Sequence, residues 1–492
     1  MSRNADLLAS DLLANLPGVH LPAALPPITE VVADSRAATP GCLFVAVSGV
    51  KLDGAQFIAD AVARGAVAVL AARGTRAAGA LPVPVIEADD PRLALAHLAA
   101  RRYPRQPGAI AAVTGTNGKT STAWFTRLMW QAMGHRAASL GTIGFVRPDR
   151  PIEDTLTTPD PLTLHRMLDD AAADGIDHLA MEASSHGLDQ RRLDGVRLAS
   201  AAFTNLTHEH LDYHGTMADY FAAKARLFEV LLPAGAAAVL NRDIAQFDDL
   251  AAIAKRRGHR VITFGRCQAD LSLNERRPTP TGQDLSLTVF GTRVDLHLPL
   301  IGGFQVENAL AALGLVIGAG AEPARATQTL RTLGVVPGRM ELVARSASGA
   351  PIFVDYAHKP DALETVLTAA RPHCAGKLVV VVGCGGDRDR AKRPMMGSIA
   401  CRLSDRAIIT DDNPRSEDPA LIRKAMLAGC DTCIAEEIGD RRQAIHTAVA
   451  SLGARDLLII AGKGHERGQI IGTTVLPFDD AAVAREAAGG GA

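Results

Sequence analysis

Short apolar runs alternate with amphipathic stretches and polar loops along the chain. Ahead of residue 102, the runs LFVAVSG, AVAVLAA and VPVIEA predict strands, and GAQFIADAVARGA predicts a helix between the first two. This alternation predicts a small α/β domain. The basic, proline-rich segment RRYPRQPG (101–108) then predicts a linker.

The same alternation continues after the linker. The runs DHLAMEASS, LASAAFTNL and AAAVLNR predict a mostly parallel sheet that helices cover on both faces. Residues 285–300, LSLTVFGTRVDLHLPL, alternate apolar and polar positions instead, which predicts an antiparallel hairpin turning near Gly291. Past the segment GVVPGRME (334–341), the runs IFVDY, KLVVVVG, RAIIT and DLLIIAG predict further strands, each ending in a polar or glycine-rich loop.

These boundaries predict the fold class and the domain organisation. We expect an α/β protein with a small N-terminal α/β domain at 1–102, a central domain with a mostly parallel sheet at 103–335, and a C-terminal Rossmann-like α/β domain at 336–492. A chain of 492 residues suits three domains, at roughly 150 residues per domain. Ligands of open α/β sheets bind at the carboxyl ends of strands, so the loops there carry the candidate chemistry.

Composition excludes several classes of function. Aromatic residues make up 4% of the chain and the formal net charge is −1, so neither a base-stacking platform nor a basic surface for nucleic acid is expected. No run of about 18 apolar residues occurs, which predicts no membrane insertion. The first stretch, MSRNADLLASDLLANLPG, has acids within its apolar pattern and lacks the apolar core of a signal peptide, which predicts a cytoplasmic protein.

The chain contains 7 cysteines, an odd number scattered along it, which favours reduced thiols over a disulfide framework. Cys430 and Cys433 form a lone CxxC pair. A metal site would need a second pair or neighbouring histidines, and the sequence offers neither there. We therefore assign this pair no metal and no redox role.

The segment TGTNGKTS, Thr114–Ser121, lies between a predicted buried strand and a predicted helix. It resembles the phosphate-binding loop GxxxxGK followed by Ser or Thr, with a shorter glycine spacing, and an ordinary strand–turn–helix would not need this combination. Lys119 supplies positive charge for the β- and γ-phosphates, and the Thr120 hydroxyl can bind Mg²⁺. We therefore predict a P-loop ATPase-type central domain. The residues expected to bind ATP are Gly115, Thr116, Asn117, Gly118, Lys119, Thr120 and Ser121.

Two further segments place metal-binding residue types after predicted strands. Glu182 ends the strand in MEASSHGLDQRRL. The second segment, TNLTHEHLDYHG with YFAAKARLF, contains His208, Glu209, His210, Asp212, His214 and Lys224. The HExxH zinc pattern is missing, and loop polarity or a helix cap would explain this set on its own. Because a triphosphate bound in the same domain needs Mg²⁺, we expect Glu182 to offer it an oxygen, with His210 as partner.

Many short motifs occur in order along the chain: GTNGKTS, TTPDP, EASSHGLDQRRL, TNLTHEHLDYHG, YFAAKARLF, GGFQVENALAAL, VPGRME, DYAHKPDAL, GGDRDRAKRP, DDNPR and GKGHE. Together they closely resemble the Mur ligases of peptidoglycan synthesis. The N-terminal segment 34–58 also resembles the UDP-binding domain of that family. The resemblance covers almost the whole chain, and so many ordered motifs are far more specific than any one of them.

The resemblance implies a UDP-substrate domain, a central ATP-binding domain and a C-terminal amino-acid domain. It implies an ATP-dependent amide ligase with Mg²⁺ as cofactor, in which ATP phosphorylates the D-glutamyl γ-carboxylate of a UDP-muramoyl dipeptide. The amino group of an incoming amino acid then displaces phosphate from the acyl phosphate. The implied partners are these small molecules, and the implied protein is a cytoplasmic monomer. Phosphoryl transfer depends mainly on positioning and charge neutralisation, which Lys119 and Mg²⁺ would supply.

The resemblance also implies roles for individual residues. The catalytic residues would be Lys119, Glu182, His210 and Lys224. A second Mg²⁺ would be held by Glu182, His210 and a carbamylated Lys224, although residue type alone makes Lys224 an exposed helix lysine. The residues matched to the UDP-linked substrate are Ser35, Arg36, Thr157, Thr158, Ser184, Gln190 and Arg192. Those completing the ATP site from farther along the chain are Asn308, Asp355 and His358, with Arg339 nearby.

The residues matched to the amino acid are Arg390, Asp412, Asn413, Arg415, Gly462 and Glu466. The loop DDNPR (411–415) decides among members of the family, although residue type alone makes it a stiff, capped turn ahead of a helix. By the resemblance it belongs to ligases that add meso-diaminopimelate, whose distal carboxylate Arg415 would bind. A buried arginine without that carboxylate would be unpaired, so Arg415 would also reject lysine.

Other functions stay open at this point. A lysine-adding relative would differ at the arginine of DDNPR. A sister Mur ligase or a folylpolyglutamate synthase is disfavoured by DDNPR and by the N-terminal DSR motif (34–36). A non-catalytic ATP-binding switch would need the phosphate loop, but it gives no reason for Glu182, His210, Lys224 and Arg415 together.

Overall fold

The fold is given by a computed structural model that describes residues 12–49, 53–75, 81–266, 268–279, 281–430 and 434–489. Residues 1–11 of the first stretch and Cys433 of the CxxC pair lie outside these residues. The chain divides into two compact units. The first comprises Met1–Lys119, Trp130–Thr263 and Gly314–Ala321, and the second comprises Thr120–Met129, Phe264–Leu313 and Glu322–Ala492.

The first unit begins with a small α/β sheet. Its strands are β1 (Val19–His20), β2 (Glu30–Val32), β3 (Cys42–Val45), β4 (Ala68–Ala72) and β5 (Val85–Ala88). Their order is β1–β5–β4–β3–β2, and all neighbours are parallel except β1 and β5. Helices α1 (Ile58–Ala63) and α2 (Pro91–Arg102) accompany this sheet. The α/β pattern predicted before residue 102 is confirmed.

A second sheet of this unit carries the phosphate loop. Its strands are β6 (Ala109–Thr114), β7 (Ala137–Gly141), β8 (Gly144–Val146), β9 (His178–Glu182), β10 (Ser200–Phe203) and β11 (Ala237–Asn241). Their order is β11–β10–β6–β9–β7–β8, and only β7 and β8 are antiparallel. The helices that follow these strands are α3 (Lys119–Ala132), α4 (Pro161–Ala173), α5 (Ser185–Asp189), α6 (Leu211–His214), α7 (Met217–Arg226) and α8 (Phe247–Arg257). The predicted parallel sheet is confirmed.

The second unit contains an antiparallel meander. It follows β12 (Arg260–Gly265) and consists of β13 (Leu271–Thr279), β14 (Gly282–Val289) and β15 (Thr292–Leu298). Val289 pairs with Thr292, so the turn falls at Phe290 and Gly291 and the predicted hairpin is confirmed. The pairing of β13 with β14 is an addition that the sequence prediction missed.

The second unit also contains a six-stranded sheet and a separate hairpin. The strands are β16 (Glu341–Arg345), β17 (Pro351–Asp355), β18 (Leu378–Val382), β19 (Arg406–Ile409), β20 (Ala435–Glu437), β21 (Leu457–Ala461), β22 (Gly468–Ile471) and β23 (Thr474–Pro477). The sheet order is β16–β17–β21–β18–β19–β20, with only β16 and β17 antiparallel, and β22 pairs with β23.

The remaining helices are α9 (Gly303–Gly318), α10 (Pro323–Gln328), α11 (Pro360–Ala370), α12 (Lys392–Leu403), α13 (Pro419–Leu427), α14 (Arg441–Ala450) and α15 (Asp480–Ala487). Short 3₁₀ turns occur at Ser35–Ala37, Gly54–Phe57, Thr329–Thr332 and Arg371–His373, and a π-helical turn at Leu227–Leu231. Within the described ranges no helix has the length and apolar character to span a bilayer.

Strand β18 shows why the strands of these sheets appear in the sequence as unbroken apolar runs. All five residues of its sequence LVVVV are buried. Val380 faces one hydrophobic cluster, whereas its neighbours Val379 and Val381 face another on the opposite side of the sheet. Because both faces are covered, no position along the strand can be polar. The α/β fold class with three domains is confirmed, and polar groups concentrate where strands end.

A buried ion pair joins the starts of two C-terminal helices. Arg441 begins α14 and Asp480 begins α15, and both side chains are fully buried. The Arg441 Nε and Nη2 atoms each donate to an Asp480 carboxylate oxygen at 2.7 Å, and Nη2 also donates to the Ala461 carbonyl oxygen at 3.0 Å. The guanidinium therefore ties both helices to the end of β21.

Asp480→Ala is expected to lower the free energy of unfolding by about 3–5 kcal/mol, because it leaves the Arg441 guanidinium buried and unpaired. Glu486→Ala is the matched control. Arg442 and Glu486 pair on the same two helices at 2.5 Å, but their side chains are 52% and 56% exposed, so a much smaller loss is expected. Urea denaturation measures both variants, and equal losses would contradict the assignment.

Candidate active site

The phosphate loop lies between β6 and α3, where the sequence predicted it. Its two glycines have φ angles of 140° at Gly115 and 86° at Gly118, which favour glycine over any other residue. A Cβ atom on Gly115 would lie 2.0 Å from the Thr204 Oγ1 atom. The loop thus depends on Gly115 for both its backbone angle and its close approach to β10, and it stands at a helix N-terminus suited to phosphate.

Residues that follow β10 hold the loop in place. The Thr116 N–H group donates to the Asn205 carbonyl oxygen at 2.9 Å, and the Asn117 N–H group donates to Asn205 Oδ1 at 2.9 Å. The Thr204 hydroxyl donates to the Asn117 carbonyl oxygen at 2.7 Å. The carboxyl ends of β6 and β10 therefore form one hydrogen-bonded structure.

Two lysines converge on the phosphate loop. Lys119 Nζ donates to the carbonyl oxygens of Gly115 at 2.9 Å and Thr116 at 2.7 Å, and Lys224 Nζ donates to Gly115 at 2.8 Å. Lys224 is 1% exposed, so the alternative of an exposed helix lysine is wrong. Burial, and secondarily the charge of Lys119, lower the pKa of Lys224 to about 6. Its amine is therefore mostly neutral near pH 7.

Glu182 is a buried carboxylate at the end of β9. The Thr142 N–H group donates to Glu182 Oε1 at 2.7 Å, and the Thr142 hydroxyl donates to Oε2 at 3.3 Å. A Cβ atom on Gly141 would lie 2.2 Å from Oε1, so the loop after β7 closes tightly on the carboxylate. Glu182 has no ion-pair partner among the described residues, and a buried carboxylate in that state favours a cation.

His210 has a strained backbone conformation, and its ring packs near other histidine rings. Its φ of 56° and ψ of 27° are left-handed, which is uncommon outside glycine and is often found at functional sites. Its ring lies 5.0 Å from that of His186, which in turn lies 5.5 Å from His214. Burial, together with the charges of Lys119 and Lys224, lowers the pKa of His210. A neutral imidazole suits a metal ligand better than an imidazolium.

The residues predicted for the peptide end of the UDP-linked substrate lie together beside Glu182. Thr158 Oγ1 donates to the Glu182 carbonyl oxygen at 2.9 Å and accepts from the Ser184 N–H group at 3.1 Å. Arg192 donates to the Thr158 carbonyl oxygen at 2.6 Å and to Gln190 Oε1 at 2.7 Å. These contacts already use N–H donors of the Arg192 guanidinium. A substrate carboxylate bound by Arg192 would have to share those donors with Thr158 and Gln190.

Thr157 and Ser184 have further local partners. The Thr157 hydroxyl lies 3.1 Å from that of Thr142. Ser184 caps α5, since its hydroxyl accepts from the Gly187 N–H group at 3.1 Å. Ser35 begins a 3₁₀ turn after β2 and is buried, whereas the neighbouring Arg36 is exposed. The uridyl contacts of this turn stay a prediction.

In the second unit, Asp355 ends β17 and is completely buried. Its carboxylate accepts from the Met340 N–H group at 2.7 Å and the Ala357 N–H group at 2.8 Å. Burial raises the pKa of Asp355 to about 6, although the charge of Arg339 opposes this shift. Asp355 thereby fixes the segment 338–341 against the end of β17.

Two of the other residues predicted near the ATP site, His358 and Arg339, pack on Tyr356. Its ring lies 4.6 Å from that of His358, and the Arg339 guanidinium lies 4.7 Å above it. Asn308 is buried on α9, where its amide donates to Gln305 Oε1 at 3.0 Å. The contribution of these residues to ATP binding stays a prediction.

The DDNPR loop follows β19 and precedes α13, as expected for a turn ahead of a helix. The helix itself is capped by Asp418, which accepts from the Ala420 N–H group at 2.9 Å. Asp411 forms an ion pair with Arg423 of α13. Asp412 pairs with a buried lysine described below, so the two acids hold the loop to different neighbours.

Lys463 lies at the centre of the amino-acid-binding residues and is fully buried. Its ammonium donates to Asn413 Oδ1 at 2.7 Å and to the Gly468 carbonyl oxygen at 2.8 Å. Asp412 Oδ1 lies 3.3 Å away and Glu466 Oε2 lies 3.8 Å away. Asn413 Nδ2 also donates to Glu466 Oε2 at 3.0 Å. The DDNPR and GKGHE loops are therefore joined through one buried lysine.

Arg415 is half-buried and has a left-handed backbone, with φ of 51°. Its N–H group donates to the Ile470 carbonyl oxygen at 3.0 Å and its Nη1 donates to the Gly386 carbonyl oxygen at 2.8 Å. No acidic side chain pairs with it anywhere in the described ranges. By contrast, the exposed Arg390 pairs with Glu417 at 3.2 Å. The guanidinium of Arg415 thus retains capacity for an anion.

Gly462 follows β21 at the edge of this cluster. Its φ is 120°, and a Cβ atom there would lie 3.3 Å from Asp412 Oδ2. Burial raises the pKa of Glu466, against the opposing effect of its hydrogen bond from Asn413. The predicted amino-acid-binding residues therefore meet around the buried Asp412 and Lys463 and the half-buried Glu466, with Arg390 exposed.

Comparison with protein families agrees with this architecture. Residues 27–103 match the model of the Mur ligase family catalytic domain, residues 113–316 match the Mur ligase middle domain, and residues 338–464 match the Mur ligase glutamate ligase domain. This chain belongs to the Mur ligase family. Mur ligases are ATP-dependent and use Mg²⁺.

Individual relatives of this Mur ligase support the same family membership. A Mesorhizobium japonicum protein named UDP-N-acetylmuramoyl-L-alanyl-D-glutamate--2,6-diaminopimelate ligase is 52% identical over 453 residues, covering 92% of this chain and 93% of the relative. A solved structure with that name has a TM-score of 0.71 at 34% identity, covering 94% and 95%. The folylpolyglutamate synthase of Mycobacterium tuberculosis complexed with ADP has a TM-score of 0.59 at 20% identity, covering 75% and 90%, and shares the fold.

The structure of this Mur ligase adds residues that the sequence analysis missed. Asn205, Tyr220 and Lys463 stand inside motifs that the sequence analysis quoted, but only their burial and contacts reveal a role. Tyr220 lies beneath Lys224, with its ring 4.4 Å from Nζ. Thr142 lies outside every quoted motif. Its contact with Glu182 joins the ends of two different strands, which no local pattern could reveal.

Gly115→Ala is expected to weaken ATP binding by more than about tenfold, or about 1.4 kcal/mol. The added methyl would strain the backbone and collide with Thr204. The control is Gly134→Ala, near the other end of α3, where φ is 89° and nothing lies within 4 Å of the added Cβ. Calorimetric titration with ATP and Mg²⁺ compares the two, and unchanged affinity in Gly115→Ala would refute the assignment.

Proposed function

We propose that this Mur ligase adds meso-diaminopimelate to the D-glutamyl γ-carboxylate of UDP-N-acetylmuramoyl-L-alanyl-D-glutamate, as an ATP-dependent step of peptidoglycan precursor synthesis. The observation that carries this proposal is the guanidinium of Arg415, which has no ion-pair partner within the described residues and lies in the same loop as Asp412 and Asn413, the latter hydrogen-bonded to Glu466. An amino acid with two ammonium groups and a distal carboxylate complements that arrangement. The names of the similar relatives support it.

The first chemical step would take place at the phosphate loop. A carboxylate is a poor acyl donor, and transfer of the γ-phosphoryl group from ATP would convert the γ-carboxylate into an acyl phosphate with release of ADP. Lys119 would neutralise charge on the phosphates, and the backbone of Gly115 and Gly118 would set the path of the loop. Thr158, Ser184, Gln190 and Arg192 would orient the peptide end of the substrate.

The donor chemistry near the phosphate loop fits the Mg²⁺ that the family uses. Glu182 offers a buried carboxylate without an ion pair among the described residues, and His210 offers an imidazole whose pKa is lowered. Thr120 would serve the Mg²⁺ bound with ATP. When bound, Mg²⁺ supplies positive charge that stabilises the developing negative charge of phosphoryl transfer.

Lys224 would supply a further oxygen ligand after carbamylation. Its neutral nitrogen would attack the carbon of CO₂, forming an N–C bond, and would release a proton to leave a carbamate anion. This modification would turn a desolvated neutral base beside Lys119 into an anion that the Lys119 charge and a metal ion would stabilise.

The second step would use the cluster around Lys463. Asp412 and Glu466 would hold the ammonium end of diaminopimelate while Arg415 binds its distal carboxylate. The free amino group would attack the acyl carbon, forming the amide bond as phosphate leaves. Lys463 would keep the two loops together rather than react, because its donors are taken by Asn413 and the Gly468 carbonyl oxygen.

The ligands that we propose, UDP-linked precursor and ATP, are soluble nucleotides, and a cytoplasmic monomer stays our prediction. Lysine addition is the nearest alternative function. A folylpolyglutamate-type activity would share the fold but not the arginine-bearing DDNPR loop. A nucleotide-binding switch would show neither amide formation nor a requirement for both cosubstrates.

Incubation of the purified protein with ATP, Mg²⁺, the UDP-dipeptide and either meso-diaminopimelate or lysine tests the proposal directly. We expect mass spectrometry to detect the UDP-tripeptide with diaminopimelate, together with ADP, and little product with lysine. Product with lysine alone would support the alternative ligase. ADP release without either amino acid and without amide product would support the switch.

Arg415→Ala is expected to lower kcat/KM for diaminopimelate by about 100-fold or more, because it removes a charge-assisted contact with the distal carboxylate. ATP binding should not change. Arg402→Ala is the matched control, since Arg402 on α12 pairs only with the exposed Glu364 among the described residues. Wild-type kcat/KM in Arg415→Ala would overturn the role of Arg415.

The carbamate prediction has a spectroscopic test. Protein equilibrated with ¹³C-bicarbonate should give a carbamate carbon signal that Lys224→Met lacks, while Lys119→Met retains it. Because only the neutral amine attacks CO₂, the signal should be strong at about pH 8 and weak at about pH 5, on either side of the Lys224 pKa. A signal unchanged in Lys224→Met would exclude this lysine as its source.

A further inference from the structure

A second group of metal-binding side chains lies at the amino end of β9, outside the active site. His135, Asp177 and His178 each place one potential ligand atom so that all three atoms lie within 4.8 Å of one another. His135 Nδ1 lies 3.3 Å from Asp177 Oδ2, and His178 Nδ1 lies 3.1 Å from Asp177 Oδ1. The two imidazole rings are 3.9 Å apart. No part of the proposed reaction uses these residues.

Backbone hydrogen bonds position the residues of this cluster independently of their side chains. The Asp177 N–H group donates to the Arg136 carbonyl oxygen at 3.1 Å, and the Asp177 carbonyl oxygen accepts from the Ala109 N–H group at 3.0 Å. The His135 N–H group donates to the Trp130 carbonyl oxygen at 3.0 Å, at the end of α3. Side-chain substitutions here would therefore leave these hydrogen bonds in place.

The cluster and Glu182 lie at opposite ends of the same strand. His178 is the first residue of β9 and Glu182 is the last, and a strand rises about 3.3 Å per residue. Ligands of the active site bind at the carboxyl ends of parallel strands, whereas this cluster stands at the amino ends. A cation bound at His178 would thus be remote from the phosphate loop.

The arrangement of the three side chains favours a cation. The Asp177 carboxylate has one oxygen near each imidazole, Oδ2 near His135 and Oδ1 near His178. The His178 side chain is 17% exposed, so one side of the cluster is shielded from solvent. Three potential ligand atoms thus converge at the amino end of β9.

We propose that His135, Asp177 and His178 form a binding site for a divalent transition cation such as Zn²⁺, Ni²⁺ or Cu²⁺. Two imidazoles and one carboxylate suit these ions, whereas Mg²⁺ prefers oxygen ligands alone. The side chains of His135 and Asp177 are 36% and 50% exposed, so a cation can enter from solvent and keep water as a further ligand. The bound ion would tie the segment after α3 to the start of β9.

Trp130 provides a reporter for this site. Its ring is 1% exposed and lies 4.8 Å from that of His178, so Cu²⁺ bound at the cluster should quench its fluorescence. The chain contains 2 tryptophans. In the Trp124→Phe protein, Trp130 is therefore the sole tryptophan, and this variant serves as the parent for the titrations.

We expect Cu²⁺ to quench the Trp130 fluorescence with a saturating curve for a single site, because the cluster adjoins this ring. Zn²⁺ should reverse the quenching by competition, and excess Mg²⁺ should not. His135→Ala and Asp177→Asn should each weaken Cu²⁺ binding by more than about tenfold. Each variant changes a ligand, and loss of a group that only orients a ligand already weakens metal binding by about that factor. Both variants should retain wild-type ligase activity, which also checks their folding.

His446→Ala is the matched control, because it removes a partly exposed histidine that lies outside both the cluster and the active site. Its quenching curve should equal that of the parent. Electron paramagnetic resonance of the Cu²⁺ protein should show coupling to two imidazole nitrogens, falling to one in His135→Ala. Equal quenching in His135→Ala and the parent, or quenching lost equally in His446→Ala, would overturn the proposal and leave the cluster as a hydrogen-bonded surface group.

Discussion

The burial of both faces of the parallel sheets is the constraint on which the rest of this structure depends. Strand β18 has no exposed residue, and its neighbours pack on hydrophobic clusters on either side. Side chains with chemistry can therefore leave these sheets only at strand ends. The phosphate loop follows β6, Glu182 ends β9, Asp355 ends β17, and the DDNPR loop follows β19. Within each sheet, the strand order, rather than distance along the sequence, decides which of these strand ends are neighbours.

Burial also sets the electrostatics of the candidate groups within each unit. In the first unit the pKa values of Lys224 and His210 are lowered, and in the second unit those of Asp355 and Glu466 are raised, with desolvation as the largest cause in each case. Each shift means that burial disfavours the charged form until a partner of opposite charge binds. Substrates that carry phosphates, carboxylates and ammonium groups, with Mg²⁺, are such partners.

Much of this could be predicted from the sequence, because the decisive signals are local. Gly115 and Lys119 stand within a few residues of each other, and the hairpin at Gly291 is set by alternation along two adjacent strands. The role of Thr142 had no such signal, since its contact with Glu182 joins residues 40 apart along the chain. The partners of the DDNPR acids had no local signal either, since Asp412 pairs with Lys463 some 50 residues later. Residue types within the loop could not identify that partner.

The sequence by itself determined the α/β fold class, the membership in the Mur ligase family and the identity of most candidate groups. These follow from periodicity and ordered motifs, which are properties of neighbouring residues. Only the tertiary structure decided that Lys224 is buried and mostly neutral rather than exposed, and that Lys463 joins the DDNPR and GKGHE loops. The physical reason is that desolvation and pairing depend on what surrounds a side chain in space, which parallel strands assemble from distant segments.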